Sequence, residues 1–341
     1  MPKVPTRSGR VFLREVSADG YSLAEERERR LARPRSRRAT TAETGLQLPL
    51  SPDHSASKAW WVLSPADDEF LTQSLEVHFR ELPPGEANTT HGHQNEALFY
   101  WLEGTGYDEH DGERFAWTAG DAVFVPVDTV HAHVNSSQQE RAVAVVIKAK
   151  SAWMYLGLLS QGPVEPWSQE KAKGYGDRLD WAQMWTPGLA GGKTVIRCAE
   201  LPWQVTEHAL ERDITSSNQT DHRNSSVDLA ALRIPAGGWS SKHLHTADEV
   251  LFVLSGHGHV RQWDTRHEIA DRYYARVSEE HTDWDFGPGD LVHVPTSTAH
   301  QIFADGGGQV ELLSAKNRLF AALGYRGVLT LEPSSDMTAG S

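Results

Sequence analysis

Two sets of residues in this 341-residue chain repeat the same chemistry at the same intervals. Gly85 is followed after five residues by His91-Gly92-His93, and Gly237 after five residues by His243-Leu244-His245. Farther on, Gly120, Pro126 and His131 are answered by Gly289, Pro295 and His300 at identical spacing. Neutral imidazole is the commonest metal ligand in proteins, and a His-x-His pair on a strand turns both rings to one face because side chains alternate with period two. In the second set His243, His245 and Glu249 share parity. An uninterrupted strand would therefore aim all three to one side, with His300 closing an N3O site. In the first set Glu96 has the wrong parity and Ala97 is the in-register residue, so the expectation is a three-histidine site of His91, His93 and His131. Glu96 joins it only if a turn after His93 breaks the alternation. Such sites suit Fe(II), Mn(II), Ni(II) or Zn(II). The all-histidine one leaves the metal its full charge and open positions for a chelating anion and O2. His133, two residues after His131, falls on the same strand face as a proton shuttle or hydrogen-bond donor, or as a packed side chain. Ala97, Phe99 and Trp101 point to the ligand side by the same period and form an aromatic pocket wall or core. His78, His110, His208, His222, His257, His259 and His267 lack matching spacing and are read as structural or solvent-facing.

The elements that must hold these residues are short strands. LEVHFREL, ALFYWLEG, DAVFVPV and AVAVVIKAK between residues 60 and 150, and DLAALRIPAGG, EVLFVLSG, DLVHVP and QVELLSAK between 223 and 331, are β-rich runs punctuated by Gly, Pro and Asp-Gly. One supersecondary unit is used twice. His93 to His131 spans 38 positions and His245 to His300 spans 55, which places an insertion in the second copy within HVRQWDTRHEIADRYYARVSEEHTDWDF. The predicted organisation is an arm (1–59), a barrel (60–150), a connecting segment with short helices packed on the barrels (151–222), a second barrel (223–331) and a tail (332–341). Residues 22–38, SLAEERERRLARPRSRR, read as a mobile charged arm.

Composition narrows the function. With 33 Lys plus Arg against 46 Asp plus Glu, the net charge of −13 argues against a binder of nucleic-acid phosphates. The 12 Trp and 39% hydrophobic residues exclude a disordered chain, and no apolar run approaches a membrane span. A single cysteine, Cys198, excludes disulfide frameworks and cysteine-based zinc clusters. The first residues lack a secretory apolar core, so a cytoplasmic location is expected, and the sequons at Asn88, Asn135, Asn218 and Asn224 are read as chance. Exposed strand edges are better covered than left open, so a homo-oligomer is also expected.

The repeated pattern resembles the cupin superfamily, with motifs G-x5-H-x-H-x3,4-E-x6-G and G-x5-P-x-G-x2-H-x3-N. Gly237 to Gly256 fits the first motif throughout. In the second motif Asp128 and Ser297 replace the inner glycine, and Ala304 the final asparagine, while Asn135 is kept. The resemblance implies a mainly β bicupin, two antiparallel jelly-roll barrels with short connecting helices. The stretch from His91 to Asn135 looks like the gentisate, salicylate and 1-hydroxy-2-naphthoate dioxygenases, which also have Ala at the ligating Glu position and a second-motif His-x-His. That implies Fe(II) on His91, His93 and His131, and ring cleavage of a hydroxylated aromatic substrate with O2. Those enzymes carry Arg where this chain has Gly92 and Phe99, so no carboxylate anchor is visible and a larger or less acidic aromatic is expected. His243, His245, Glu249 and His300 instead resemble quercetinase-like dioxygenase and oxalate decarboxylase sites, with Arg233 and Lys242 as nearby cations expected to face solvent. A non-catalytic cupin that binds a metal or small metabolite is the third reading.

Overall fold

The computed structural model describes residues 31–38, 57–63, 74–158, 160–185, 192–216 and 224–337; the arm before residue 31, Asn218 and His222 lie outside them. The first barrel is built from β1 (Glu76–Leu82), β2 (His91–His93), β3 (Ala97–Glu103), β4 (Thr105–His110), β5 (Glu113–Thr118), β6 (Ala122–Val125), β7 (Thr129–Asn135) and β8 (Ala142–Lys148). The second uses β9 (Val227–Ile234), β10 (Lys242–Leu244), β11 (Glu249–Ser255), β12 (Gly258–Trp263), β13 (Thr282–Phe286), β14 (Asp290–Val294), β15 (Ala299–Ala304) and β16 (Val310–Asn317). In each barrel a sheet ordered β6-β3-β8-β1, or β14-β11-β16-β9, opposes one ordered β2-β7-β4-β5, or β10-β15-β12-β13. The pairings are antiparallel, as a jelly roll requires. The insertion in the second copy is a hairpin, Thr265–Ile269 with Tyr273–Val277, between β12 and β13.

Burial on two faces explains why β8, AVAVVIK, lacks a polar alternation. Ala142, Ala144 and Val146 join Phe99, Trp101 and Trp117 in the core inside the first barrel. Val143, Val145 and Ile147 turn outward into a second core shared with Val227, Leu229, Val250, Phe252 and Leu313 of the other barrel. The two larger sheets thus pack face to face, with Phe79 and Phe252 edge-on at 5.7 Å. Two reciprocal polar contacts frame this interface. Glu96 accepts from the backbone N–H and the hydroxyl of Ser225, at 3.0 and 2.7 Å. Its counterpart Asp248 accepts from the backbone N–H and the hydroxyl of Ser74, at 3.1 and 2.5 Å.

Edges are covered by segments from outside the eight-strand units. Lys58–Leu63 pairs with β1, Gln161–Pro163 with β2, Val195–Ile196 with β6, Leu210–Thr215 with β9 and Leu329–Glu332 with β10. The connecting segment also carries a short helix, Lys150–Tyr155, and 3-10 turns at Trp181–Met184 and Cys198–Glu200. The mobile-arm expectation is corrected for its last residues: Ser36–Arg38 is a strand on β14. Arg35 is buried, its guanidinium donating to Gln262 Oε1 at 2.8 Å and to Asp264 Oδ1 at 3.0 Å. Reading the segment as a charge run overlooked the unpaired edge of β14, which gives the backbone hydrogen-bond partners. Among the described residues no helix is long and apolar enough to cross a membrane. Asn88, Asn135 and Asn224 are buried.

One glycine pair reports how tightly the barrels close. A Cβ on Gly106 would lie 2.0 Å from Val134 O and against the Trp117 ring, and one on Gly258 2.0 Å from Phe303 O. Gly106→Ala is expected to lower stability by about 3 kcal/mol, because backbone on the neighbouring strand must move; the midpoint of chemical denaturation measures it.

Candidate metal centres

Strand pairing, rather than proximity in sequence, completes each histidine set. His91 is the register partner of His131 across β2 and β7, and His243 that of His300 across β10 and β15. His93 and His245 follow two residues on. The ring centroids of His131 lie 4.3 Å from those of His91 and 4.7 Å from those of His93. His300 stands 4.2 Å from His243 and 5.1 Å from His245. In each set, one nitrogen from each ring lies within 4.8 Å of the others.

The hydrogen bonds fix which nitrogen faces the centre. Every Nδ1 lies against a backbone carbonyl: His91 on Thr89 at 2.9 Å, His93 on Asn95 at 2.6 Å, His131 on Thr129 at 2.9 Å. The second barrel repeats this with His243 on Ser241 at 3.0 Å, His245 on Ala247 at 2.8 Å and His300 on Thr298 at 3.1 Å. A carbonyl only accepts, so Nδ1 carries the proton and Nε2 keeps its lone pair. Burial brings His91 and His245 down to about 4 and holds His93, His131 and His243 well below the usual imidazole value. All five are therefore neutral at neutral pH. His131 Nε2 is buried with no hydrogen-bond partner. Three neutral imidazoles with converging lone pairs fit a divalent metal ion, and each barrel carries one such three-histidine metal-binding site.

The fourth position separates the two. Neither His-x-His strand runs on uninterrupted as expected: β2 ends at His93 and β10 at Leu244, a turn follows, and the next strand belongs to the opposite sheet. Parity therefore does not place Glu249. It opens β11, with Oε2 3.0 Å from His245 Nε2 and 3.2 Å from His300 Nε2. Donor atoms about 2.1 Å from one shared ion stand about 3 Å apart, so this spacing suits common ligation. Burial would raise the Glu249 pKa, but Lys316, 3.9 Å away, with His245 and His300, holds it well below the carboxylate range. Ser314 also donates to its Oε1. In the first barrel Ala97 opens β3, and Glu96, bound to Ser225, points out of the site despite the turn.

A cupin domain family model matches residues 78–148 and again residues 231–316. Each match contains one complete histidine set. The chain has a bicupin fold. Its fold is similar to a salicylate 1,2-dioxygenase from Pseudaminobacter salicylatoxidans, with 15% identity over 84% of this chain and 83% of that chain and a TM-score of 0.59. It is also similar to a variant oxalate decarboxylase from Bacillus subtilis, with 14% identity over 88% and 80% and a TM-score of 0.57. At such identities the likeness is one of fold. Comparison with curated protein sequences gives no match.

Behind its first metal site the bicupin holds a polar network that spacing did not reveal. His133 Nδ1 donates to Asp108 Oδ2 at 2.8 Å, Trp117 Nε1 donates to Asp108 Oδ1 at 2.8 Å, and His110 Nε2 lies 3.5 Å from Oδ2. All four side chains are buried. The His133 ring stands 5.3 Å from His131 and 4.1 Å from Phe99. Phe99 lies beside Trp101, whose ring stacks on Trp117 at 3.4 Å. Phe99 and Trp101 thus form the packed wall behind His133, with Ala97 buried in the same core. The signal available in sequence was Asp108 and His110 on one face of β4, paired with His133 and His131. His110 and His78 are buried as expected of structural residues, and His208 is half-buried, 4.7 Å from the His243 ring. Arg233 and Lys242 pair with Glu311 and Glu332, and the cation beside the second site is Lys316.

Clefts lead to both sites of the bicupin. A cavity of about 720 Å³ is lined by His93, Gln94, Asp128, Val130, Gln161 and Trp181. Asp128 keeps the left-handed turn of the replaced glycine at φ 56° and accepts from the indoles of Trp181 and Trp185 at 3.1 and 3.0 Å. The connecting segment is thereby tied over the first entrance. A cavity of about 310 Å³ at the second site includes His245, Thr265, His267, Ala275, Ser297 and Leu329, so the inserted hairpin borders that mouth.

Proposed function

We propose that the protein is a non-haem Fe(II)-dependent dioxygenase that oxygenates or cleaves a hydroxylated aromatic substrate with O2 in its first barrel, where His91, His93 and His131 would hold the iron. The observation that carries this reading is the pairing of an all-histidine cluster, Ala97 in its fourth position, with the buried His133–Asp108 couple. Bound iron would supply Lewis acidity toward the substrate oxygens and redox access to O2. With its Nδ1–H committed to Asp108, His133 keeps Nε2 as its basic nitrogen, positioned to accept the proton of a substrate hydroxyl. Phe99, Trp101 and Trp117 exclude water behind it. The same reading makes O2 and a small aromatic the partners, in a homo-oligomer.

A second reading puts quercetinase-like oxygenation or decarboxylation at His243, His245, His300 and Glu249, and the observation that favours it is the ionised Glu249 beside Lys316. An oxygen electrode with a panel of hydroxy-aromatic acids, together with elemental analysis for Fe, Mn, Ni and Zn, tests both. O2 uptake abolished by His91→Ala and retained in His243→Ala is expected; the reverse pattern promotes the second barrel, and no change in either variant sinks both.

A further inference from the structure

The two barrels are internal controls for each other, and beside one lysine they differ in charge. In the second, Lys316 is the register partner of Glu249 across β16 and β11. In the first, Ile147 pairs with Leu98, which sets Lys148 opposite Ala97 across β8 and β3. Lys148 follows the inward parity of Ala144 and Val146. Each lysine also has an acidic cross-strand neighbour, Glu76 or Asp228, so that charge is common to both barrels. The carboxylate at Glu249 is not: the first barrel keeps the lysine, replaces its partner with Ala97, and replaces the hydroxyl of Ser314 with Val146.

We propose that Lys148 is the anion anchor of the first metal site, its ammonium taking a carboxylate of the substrate in the space that the Glu249 carboxylate fills in the second. The inference rests on the dioxygenase reading for the reaction, but it concerns ligand class. Lys148 lies near enough to His91 and His93 to add positive potential there, while burial brings its own pKa down to about 7. A metal ion on three neutral ligands adds to that potential, and an anionic substrate offsets both. The anchor lies in neither of the positions, 92 and 99, where related enzymes carry arginine. A carboxylate-bearing aromatic therefore replaces the less acidic substrate expected from those two positions.

Calorimetry on protein loaded with redox-silent Zn(II) tests this without turnover, using salicylate and its uncharged analogue salicylamide as probes. Wild type is expected to prefer salicylate. Lys148→Met should weaken salicylate by about 10- to 100-fold, the scale of a lost charged hydrogen bond, and leave salicylamide unchanged. Lys148→Arg should restore most of the preference, and unchanged salicylamide binding certifies the fold. Equal affinity of wild type for the two probes overturns the proposal, as does a preference that survives in Lys148→Met or a loss that falls equally on both probes. A Lys148-dependent preference without O2 uptake by the iron-loaded wild type would retire the dioxygenase reading and leave the anchor standing.

Discussion

His131→Ala is expected to empty the first metal site and leave the second filled, so that elemental analysis records the loss of one metal equivalent per chain. His131 is central to its set: its ring is the nearer neighbour of both His91 and His93, which are 5.6 Å apart. It is 1% exposed, so water does not replace it readily. With Ala97 opposite, no fourth donor among the described residues compensates. Altering groups that only orient metal ligands costs about 10- to 100-fold in affinity, so removing one ligand of three should exceed about 100-fold. His300→Ala should be milder, because His243, His245 and Glu249 remain. The same asymmetry should appear in melting experiments: metal at about 100 times its Kd stabilises by about 2.7 kcal/mol, and His131→Ala should lose the part of that shift due to the first barrel. Unchanged metal content in His131→Ala would refute the site.

Asp108→Asn should be the most damaging substitution outside the ligands, in stability and in turnover together. The carboxylate is 0% exposed and serves two donors at 2.8 Å, the Trp117 indole and His133 Nδ1. An amide offers one oxygen, so its NH2 must confront one of those N–H groups or force His133 to exchange tautomers. A buried donor left unsatisfied costs about 1–3 kcal/mol, and the lost charge moves the expected cost to about 3 kcal/mol. Exchange of the tautomer removes the basic Nε2, so turnover should fall by about 100-fold or more. Acid should expose the same interaction. Burial pushes the Asp108 pKa up, but the charge of His133, its hydrogen bond and the nearby His110 outweigh it and bring it from 3.8 to about 2. A depressed carboxylate stabilises the fold above its unfolded value, and that contribution, about 2 kcal/mol, is lost as pH falls from about 4 toward 2. Wild type should therefore lose stability more steeply than Asp108→Asn over that interval; parallel denaturation midpoints from pH 5 to pH 2 would show that the pair contributes nothing.

The sequence by itself determined the metal chemistry and the doubled fold. A metal needs several donors on one face, and His-x-His supplies two through the pleat of a single strand, a local property written at fixed spacing in both copies. Strand runs and turn residues are local too, so the barrels, an insertion in the second copy and the absence of a carboxylate at Ala97 were all legible. Tertiary structure decided what surrounds each histidine set. The uninterrupted strand assumed for Glu249 is broken by a turn, and its carboxylate reaches the site from the opposite sheet. Glu96 is drawn away by Ser225, 129 residues later. Asp108 meets His133, Arg35 meets Gln262, and Lys148 stands opposite Ala97 because strands distant in sequence pair in one register. Register is set by the summed burial of whole sheets, and no short motif encodes it.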